Sequence, residues 1–269
     1  MAKYNKLAGK HVVVIGGSQG IGRGVVEGAI ESQAVVTLVG SYRADLPPNA
    51  PQSADKAVAE IKAQYPSASV IGLSCDLATD NVESDLENLL TQAKQAHNQP
   101  IDHIVLTAGD PPVFLAPQDI TLEQIRKVAR MRCELPLMLG KAAQRHLASS
   151  VECSLTISTG GIADQPMPGW SVTAFVASGL LGLTRNLAVD LKPLRVNAVE
   201  PGFVDTRLWE SMGFTPEQKA AELKKVAEKV PTGRPGQVED VAEAYLYLMR
   251  DRNATGEIVK TRSGSNLVY

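Results

Sequence analysis

The chain lacks the features that would draw it to nucleic acid or to a membrane. Its 269 residues carry 27 basic and 29 acidic side chains, so no net positive field attracts phosphate polymers or anionic lipid surfaces. The apolar run in the opening MAKYNKLAGKHVVVIGG is too short to cross a bilayer and ends at Gly16 and Gly17, as a buried strand would. We therefore expect a cytoplasmic protein with a small-molecule partner, no nucleic acid and no membrane.

Cysteine is also scarce, and its placement argues against a disulfide framework. Cys75, Cys133 and Cys153 are odd in number, far apart and outside any CxxC pair. This usage is typical of buried, reduced thiols in a reducing compartment. We expect neither a disulfide nor a metal site.

Apolar runs alternate with helical patterns along most of the chain. Strands are predicted over residues 11–15, 34–39, 69–74, 103–107, 153–158, 195–199 and 257–260. Helices are predicted over residues 21–32, 53–64, 81–97, 121–147 and 170–191. This alternation is typical of βαβ units, so we predict a single α/β domain, residues 1–269, with a Rossmann-type doubly wound parallel sheet. Residues 206–230 leave the alternation and predict a helical lid.

A glycine-rich loop, IGGSQGIGRG, follows the first predicted strand. Gly16, Gly20 and Gly22 let the backbone approach a pyrophosphate, and the helix that begins there presents its N-terminus to the same group. Because a strand precedes the loop and a helix follows it, the loop predicts a dinucleotide site.

The end of the second predicted strand indicates which dinucleotide binds. This end has no Asp or Glu to hold the ribose hydroxyls of NAD and to repel a phosphate. Instead, Ser41 offers a hydroxyl and Arg43 offers a guanidinium to a 2′-phosphate. The sequence therefore predicts NADP(H) over NAD(H). A solvated loop charge is the alternative interpretation of Arg43.

Several motifs follow one another in the order found in the short-chain dehydrogenase/reductase family, which the chain resembles over nearly its whole length. They are the glycine loop, the pair Asp76–Leu77, LTAG at residues 106–109, and RVNAVEPGFVDT at residues 195–206. Besides the positions above, the resemblance implies cofactor contacts from Ser18, Gln19, Ile21, Asp76, Leu77, Ala108, Gly109, Arg132, Pro201, Gly202, Val204 and Thr206. It also implies a homo-oligomer, a dimer or a tetramer.

The catalytic Tyr and Lys of that family are missing. When the chain is aligned on GLTR, residues 182–185, Thr173 stands in the place of Tyr and Ala177 in the place of Lys. A shift by two residues gives Phe175 and Gly179 instead. Neither alignment restores the pair.

Five other residues are candidates for the catalytic site. Arg132 stands where the family has Asn, and the family's Ser falls at Ser158 or Thr159. The forked donors of Arg132 suit a substrate carbonyl or the nicotinamide ribose, although a surface helix Arg is the alternative. Asp110 and Asp164 lie in loops after predicted strands, where doubly wound sheets bind substrates. Both also have a plain alternative as a turn-forming or solvated acid.

The missing Tyr favours one kind of reduction over another. Losing the general acid of a carbonyl reduction costs about 10²- to 10⁴-fold in rate, or roughly 3 to 5 kcal/mol of barrier. Hydride delivery to an iminium carbon needs no proton; it needs orientation, and a nearby carboxylate helps. Trp170, with Met167 and Phe203, predicts an apolar wall for a flat substrate, with core packing as the alternative for Trp170.

Within the family, the chain resembles the fungal bifunctional reductase/Diels-Alderases of prenylated indole-alkaloid biosynthesis. The resemblance rests on the turn PMPGW at residues 166–170, on Arg132 and on the two empty catalytic positions. It implies NADPH-dependent reduction of an iminium-type intermediate and templating of a cycloaddition. Those enzymes have Asp in the middle of the turn, where this chain has Met167, so either Asp110 or Asp164 steadies the cation instead, or this protein acts on a different substrate.

The leading hypothesis is therefore an NADPH-dependent reductase of a small, largely apolar imine or iminium, with a Diels-Alder-type cyclisation left open as a second activity. Two alternatives remain: a non-redox cyclase or isomerase with NADP as part of the pocket wall, and a catalytically inactive NADP-binding sensor. The predicted lid favours an enzyme, because Leu208, Trp209, Met212 and Phe214 give it an apolar face.

Overall fold

The computed structural model describes residues 3–47 and 50–268, and its centre is one parallel sheet. The strands are β1 (His11–Ile15), β2 (Val35–Ser41), β3 (Val70–Cys75), β4 (His103–Leu106), β5 (Ser154–Ser158), β6 (Arg195–Pro201) and β7 (Ile258–Thr261). Their spatial order is β3-β2-β1-β4-β5-β6-β7, and every neighbouring pair is parallel. The predicted Rossmann-type doubly wound sheet is confirmed, and its strand order reverses between β1 and β4.

Helices cover both faces of the sheet. They are α1 (Gly20–Glu31), α2 (Ser53–Gln64), α3 (Val82–His97), α4 (Leu122–Ala129), α5 (Leu135–His146), α6 (Ser171–Asp190), α7 (Leu208–Ser211), α8 (Pro216–Lys229) and α9 (Val238–Arg250). Helices α1, α2 and α9 pack into the same core as Val12 and Val14 of β1. Helices α3, α5 and α6 pack into the core on the other face, with Val13 and Ile15. Because successive side chains of a strand point to opposite faces, the continuous apolar run HVVVI can line both cores.

The long helix predicted over residues 121–147 is interrupted. A π-helical turn, Arg130–Glu134, separates α4 from α5, and the N–H of Leu135 bonds back to the carbonyl of Arg130. Pro136 explains the break. It has no N–H to bond the Arg132 carbonyl, and its ring would clash with that carbonyl in a regular α-helix. The prediction of one continuous helix is corrected at this point, and the turn directs Arg132 toward the end of β4.

The predicted lid, residues 206–230, contains the helices α7 and α8. Trp209 anchors α7, because its indole N–H donates to the Val204 carbonyl at 2.9 Å and its ring packs edge-to-face on Phe214 at 5.3 Å. Helix α8 begins with a capping box between Thr215 and Gln218 and has no fully buried residue. The segment is therefore tied to the fold at Trp209 and at the buried Val230, and α8 between them lies on the surface.

Two buried histidines lie at the edge of the sheet opposite the glycine loop. The ring of His11, at the start of β1, bonds the Thr37 hydroxyl at 2.9 Å, and the ring of His103, at the start of β4, bonds the Ser154 hydroxyl at 2.9 Å. Burial lowers the pKa of His11 to about 4, helped by nearby His97. Burial also lowers the pKa of His103 to about 3. Both rings are therefore neutral at pH 7.

Candidate cofactor and substrate site

The glycine loop has a geometry that only glycine allows. Gly16 has φ +94°, and a Cβ there would lie 2.5 Å from the backbone nitrogen of Ala108. A Cβ on Gly22 would lie 2.2 Å from the Gly16 carbonyl oxygen. The loop thus packs tightly against the end of β4 and leads into α1 at Gly20. A helix N-terminus reached through a glycine-rich loop fits a pyrophosphate.

A cleft at the C-terminal ends of the first four strands fits the adenosine half of a dinucleotide. It encloses about 170 Å³ and is lined by Ile15, Gly16, Val39, Gly40, Ser41, Cys75, Asp76, Leu77, Ala78, Ala108, Asp110 and Met131. Asp76 is held in place because its carboxylate accepts the Ala78 N–H at 2.9 Å. Burial raises the pKa of Cys75 to about 11, so this thiol is protonated at pH 7. The cleft brings together five predicted cofactor residues from four separate loops.

Arg43 lies just beyond Ser41, and a carboxylate already contacts it. Its Nε donates to Asp45 at 3.0 Å, and a second guanidinium nitrogen contacts the other Asp45 oxygen. Both side chains are more than half exposed. The guanidinium therefore stands at the rim of the adenosine cleft with an anion bound to it, and a 2′-phosphate would have to displace Asp45.

The turn after β6 closes over the start of α1. The Gly202 N–H donates to the Thr261 carbonyl at 2.9 Å, and Val204 forms a parallel bridge with Gly236. The side chain of Thr206 comes within 3.7 Å of the place where a Cβ of Gly20 would be. This places the predicted nicotinamide-binding turn across the glycine loop, as a shared cofactor requires.

Arg132 packs against the backbone that follows β4. Its Nη2 donates to the Asp110 carbonyl at 3.0 Å. A Cβ on Gly109 would lie 2.3 Å from the Arg132 Cζ, so the guanidinium lies directly on that glycine. Burial lowers the pKa of Arg132, although Asp110 and Tyr245 oppose the shift. This contact does not fit the alternative interpretation of Arg132 as a solvent-exposed residue on the surface of a helix.

The positions of the absent Tyr and Lys are occupied by structural contacts. The Thr173 hydroxyl donates to the Val113 carbonyl and accepts the Val113 N–H, both at 3.1 Å. Ala177 is buried, and its carbonyl accepts the Thr159 hydroxyl at 2.9 Å. In this alignment, neither position carries a side chain that can act as a general acid toward a substrate.

Ser158 bonds to a tyrosine that the sequence does not single out. Its hydroxyl lies 2.6 Å from the hydroxyl of Tyr245, a fully buried residue of α9. Burial raises the pKa of Tyr245, although the bonds to Ser158 and the charge of Arg132 oppose the shift. The only signal in the sequence is a Tyr within an apolar helix face, since a buried phenol needs a partner.

Two loops join to form an aromatic wall. The ring of Trp170 packs edge-to-face on Phe114, with centroids 4.3 Å apart at 87°. Beside them the Leu115 N–H donates to the Gly169 carbonyl at 2.8 Å. Phe203 stacks instead on Trp209 of α7 at 6.4 Å. Phe114 therefore packs on Trp170, a contact that the sequence analysis missed. Phe203, predicted to lie beside Trp170, packs instead on Trp209 of α7.

The two candidate carboxylates differ in their surroundings. Asp164 pairs with Arg262 at 2.7 Å and also contacts Lys260. Burial acts to raise the pKa of Asp164, but the two cations outweigh burial and hold this pKa below its usual value. Asp110 lines the cleft next to Arg132, and within residues 3–47 and 50–268 its carboxylate has no hydrogen bond or ion pair. The geometry favours Asp110 over Asp164 as a group that faces a ligand.

Known proteins match this arrangement along the whole chain. The family model described as an SDR-like Rossmann domain matches residues 3–268. The chain belongs to the short-chain dehydrogenase/reductase family. Membership in the family implies a nicotinamide cofactor, and the glycine loop and cleft described above have the shape to hold one.

Relatives within the family include fungal proteins. The short-chain dehydrogenase/reductase fsr5 of Gibberella fujikuroi is 38% identical over 99% of this chain and 98% of its own length. The solved structure of MalC reductase/Diels-Alderase from Malbranchea aurantiaca is 38% identical, covers 98% of both chains and superposes with a TM-score of 0.87. A short-chain dehydrogenase from Burkholderia cenocepacia, solved in complex with NADP, is 25% identical over 97% of this chain and 99% of its own, with a TM-score of 0.80.

Proposed function

We propose that this protein is an NADPH-dependent reductase of a small, largely apolar imine or iminium of specialised metabolism. One observation carries the proposal: a glycine loop and cleft of the shape that suits a nicotinamide dinucleotide lie in a chain that has Thr173 and Ala177 where the family has Tyr and Lys. The fungal relatives support reduction as the type of reaction. An iminium substrate reconciles the two, because its reduction ends in a neutral amine and needs no general acid.

The residues that follow β4 and those around Trp170 have roles that suit a cationic substrate. Reduced nicotinamide, when bound, would supply a hydride to the iminium carbon, and the π electron pair of the C=N bond would become the lone pair of the amine nitrogen. The unpaired carboxylate of Asp110 offsets the positive charge of the substrate. Phe114 and Trp170 hold a flat apolar molecule, and Arg132 orients the backbone of the loop that carries Asp110.

The test is a single-turnover reaction with NADPH that follows nicotinamide absorbance. We expect hydride loss to iminium salts and to cyclic imines in their protonated form, and a rate at least about 100-fold lower with matched ketones, as the missing general acid requires. Equal rates with ketones would overturn the iminium assignment. Binding of NADPH without any hydride transfer across the panel would favour the sensor or the non-redox enzyme.

A second activity of the same pocket is templated cyclisation. The relative MalC is named a reductase/Diels-Alderase, and the wall of Phe114 and Trp170 is rigid, because both loops are hydrogen-bonded to each other. Preorganised orientation lowers a cyclisation barrier without an acid or base. Cyclised product formed at equal rates with oxidised and reduced cofactor would separate this activity from reduction.

The preference for NADPH is expected to depend on Arg43. Arg43→Ala should weaken NADPH binding about 10- to 100-fold, which corresponds to one charged hydrogen-bonded contact, and should leave NADH binding nearly unchanged. Asp45→Asn should tighten NADPH binding, because it removes the internal anion that contacts Arg43. Calorimetric titration of both nucleotides measures the effect. Arg252→Ala, at an exposed ion pair with Glu152, is the matched control, and an equal loss for NADH would refute the assignment.

We also propose that the chain forms a homo-oligomer in the cytoplasm through α6. This helix is long and apolar enough to cross a membrane by length and composition alone, and 22% of its most apolar stretch is buried. Phe175 and Val189 on α6 are 76% and 64% exposed, and Leu137 on α5 is 48% exposed. A second copy of the chain would cover this apolar surface.

The oligomer is tested by Phe175→Glu. The charge should turn a dimer or tetramer into a monomer, because it would be buried without a partner at the contact. Light scattering after size exclusion gives the mass. Tyr4→Glu, at a side chain that is 79% exposed outside the helices, should change nothing. A wild-type monomer at micromolar concentration would contradict the proposal.

A further inference from the structure

A group of four charged side chains, two buried and two partly exposed, lies next to the site and plays no part in the function proposed above. Arg262 follows β7 directly and is 5% exposed, and Glu200 on β6 is fully buried. The Arg262 Nη1 lies 2.7 Å from Asp164, and its Nη2 contacts Glu200. Lys260 contacts the other oxygen of Asp164. Two carboxylates and two cations thus join β6, β7 and the turn after β5.

Two glycines lie beside Arg262: Gly202 is too close to it for a Cβ, whereas Gly161 is at ordinary contact distance. A Cβ on Gly202 would lie 2.9 Å from the Arg262 Cα, and a Cβ on Gly161 would lie 3.7 Å from the Arg262 Nε. The guanidinium contacts Glu200, just before the turn at residues 201–206 that faces the glycine loop, and Asp164 in the turn at residues 161–170 that carries Trp170. No other buried cation contacts both places in the part of the chain that the structure describes.

Further bonds tie the C-terminal segment to the same two turns. The Gln165 amide donates to the Ser265 carbonyl at 3.0 Å, and the Ser265 hydroxyl donates back at 3.2 Å. The Thr261 carbonyl accepts the Gly202 N–H. Residues 260–265 therefore contact the turn of the nicotinamide end on one side and the turn of the substrate wall on the other.

We propose that Arg262 is a positioning residue that fixes the turn at residues 201–206 relative to the turn at residues 161–170. A planar guanidinium with carboxylates on two sides holds a defined geometry, and it holds it more firmly where water is excluded. Arg262 touches neither cofactor nor substrate. It acts through the turn that contains Val204 and Thr206, and thereby on the nicotinamide end of the cofactor. The inference rests on the proposed cofactor site.

The test compares two nucleotides that share one half of the site. NADPH reaches both the adenosine cleft and the nicotinamide turn, whereas 2′,5′-ADP reaches only the cleft. In Arg262→Lys, which keeps the charge but loses the fork, we expect NADPH binding to weaken about tenfold, as for one lost charged contact. Binding of 2′,5′-ADP should stay within about twofold, because distant sites are independent. Calorimetry gives both constants.

Asp164→Asn protects the test against a variant that does not fold. It leaves the buried pair of Glu200 and Arg262 in place and loosens only the turn of the substrate wall, so a smaller loss of NADPH affinity in the same direction is expected. Equal loss for both nucleotides, or no loss for either in folded protein, would overturn the positioning role. A wild-type protein that binds 2′,5′-ADP no better than 5′-AMP would instead overturn the proposed NADP site.

Discussion

Lowering the pH from 7 to 5 is expected to remove about 4 kcal/mol from the free energy of unfolding, roughly 2 kcal/mol from each of two buried histidines. His11 and His103 have folded-state pKa values of about 4 and about 3, below the ordinary 6.5 that applies to the unfolded chain. As the pH is lowered, these histidines therefore bind protons at a higher pH in the unfolded chain than in the folded protein. The contribution of the two histidines to the free energy of unfolding is fully present above about pH 6.5. It decreases as the pH is lowered, until the pH reaches the folded-state pKa values.

Urea unfolding at pH 7 and pH 5 measures this effect. The double variant His11→Gln/His103→Gln should lose most of the difference between the two pH values, whatever its stability at pH 7. His97, whose pKa burial also lowers, accounts for part of what remains. The carboxylates with lowered pKa, such as Asp164 and Asp251, titrate below this window. An unchanged pH dependence in the double variant would show that the histidines are not responsible.

Displacing the guanidinium of Arg132 is expected to reduce turnover about 100-fold, the usual cost of misplacing a group that orients a substrate. Two substitutions should have this effect by different routes. Arg132→Gln removes the guanidinium, and Gly109→Ala pushes it away, because the new Cβ would lie 2.3 Å from the Arg132 Cζ. The double variant should be no worse than the single ones, since both act on the same contact.

Single-turnover hydride transfer to an imine measures the loss. Arg130→Gln is the matched control, because Arg130 lies in the same π-helical turn and pairs with Asp80 at the surface at 2.9 Å. If Arg130→Gln lowers turnover as much as Arg132→Gln, the effect comes from the turn and not from the guanidinium. Additive losses in the double variant would show that Gly109 and Arg132 act separately.

Local patterns predict most of the sheet, because a buried parallel strand is a short apolar run between turn residues. The strand at residues 11–15 agrees with the structure at both ends, and the last strand is displaced by one residue. The break at Arg130–Glu134 was missed, although Pro136 gives a local reason for it. A Pro inside a helical pattern marks either a kink or a boundary, and the pattern alone does not distinguish them.

The site was harder to predict, because its contacts join residues far apart in the chain. Asp164 has a suitable place in the sequence for a catalytic acid, but Lys260, its partner, is 96 residues away. The hydroxyls of Ser158 and Tyr245 are 87 residues apart. In contrast, the glycine loop is read from one short segment, since its geometry depends on backbone conformation within that segment. Sequence therefore predicts the cofactor cradle better than the substrate pocket.

The bonds of Thr173 bear on how this lineage could change its chemistry. A Tyr at this position would lack the hydroxyl that now holds the Val113 backbone at 3.1 Å in both directions, and the loop bearing Phe114 would be released. A Lys at position 177 would also have to enter a buried site. Introducing the family's Tyr and Lys one residue at a time would disturb the existing contacts before both residues were in place. The contacts at these two positions therefore oppose a stepwise change back to a Tyr and Lys pair, and they hold the protein to its present chemistry.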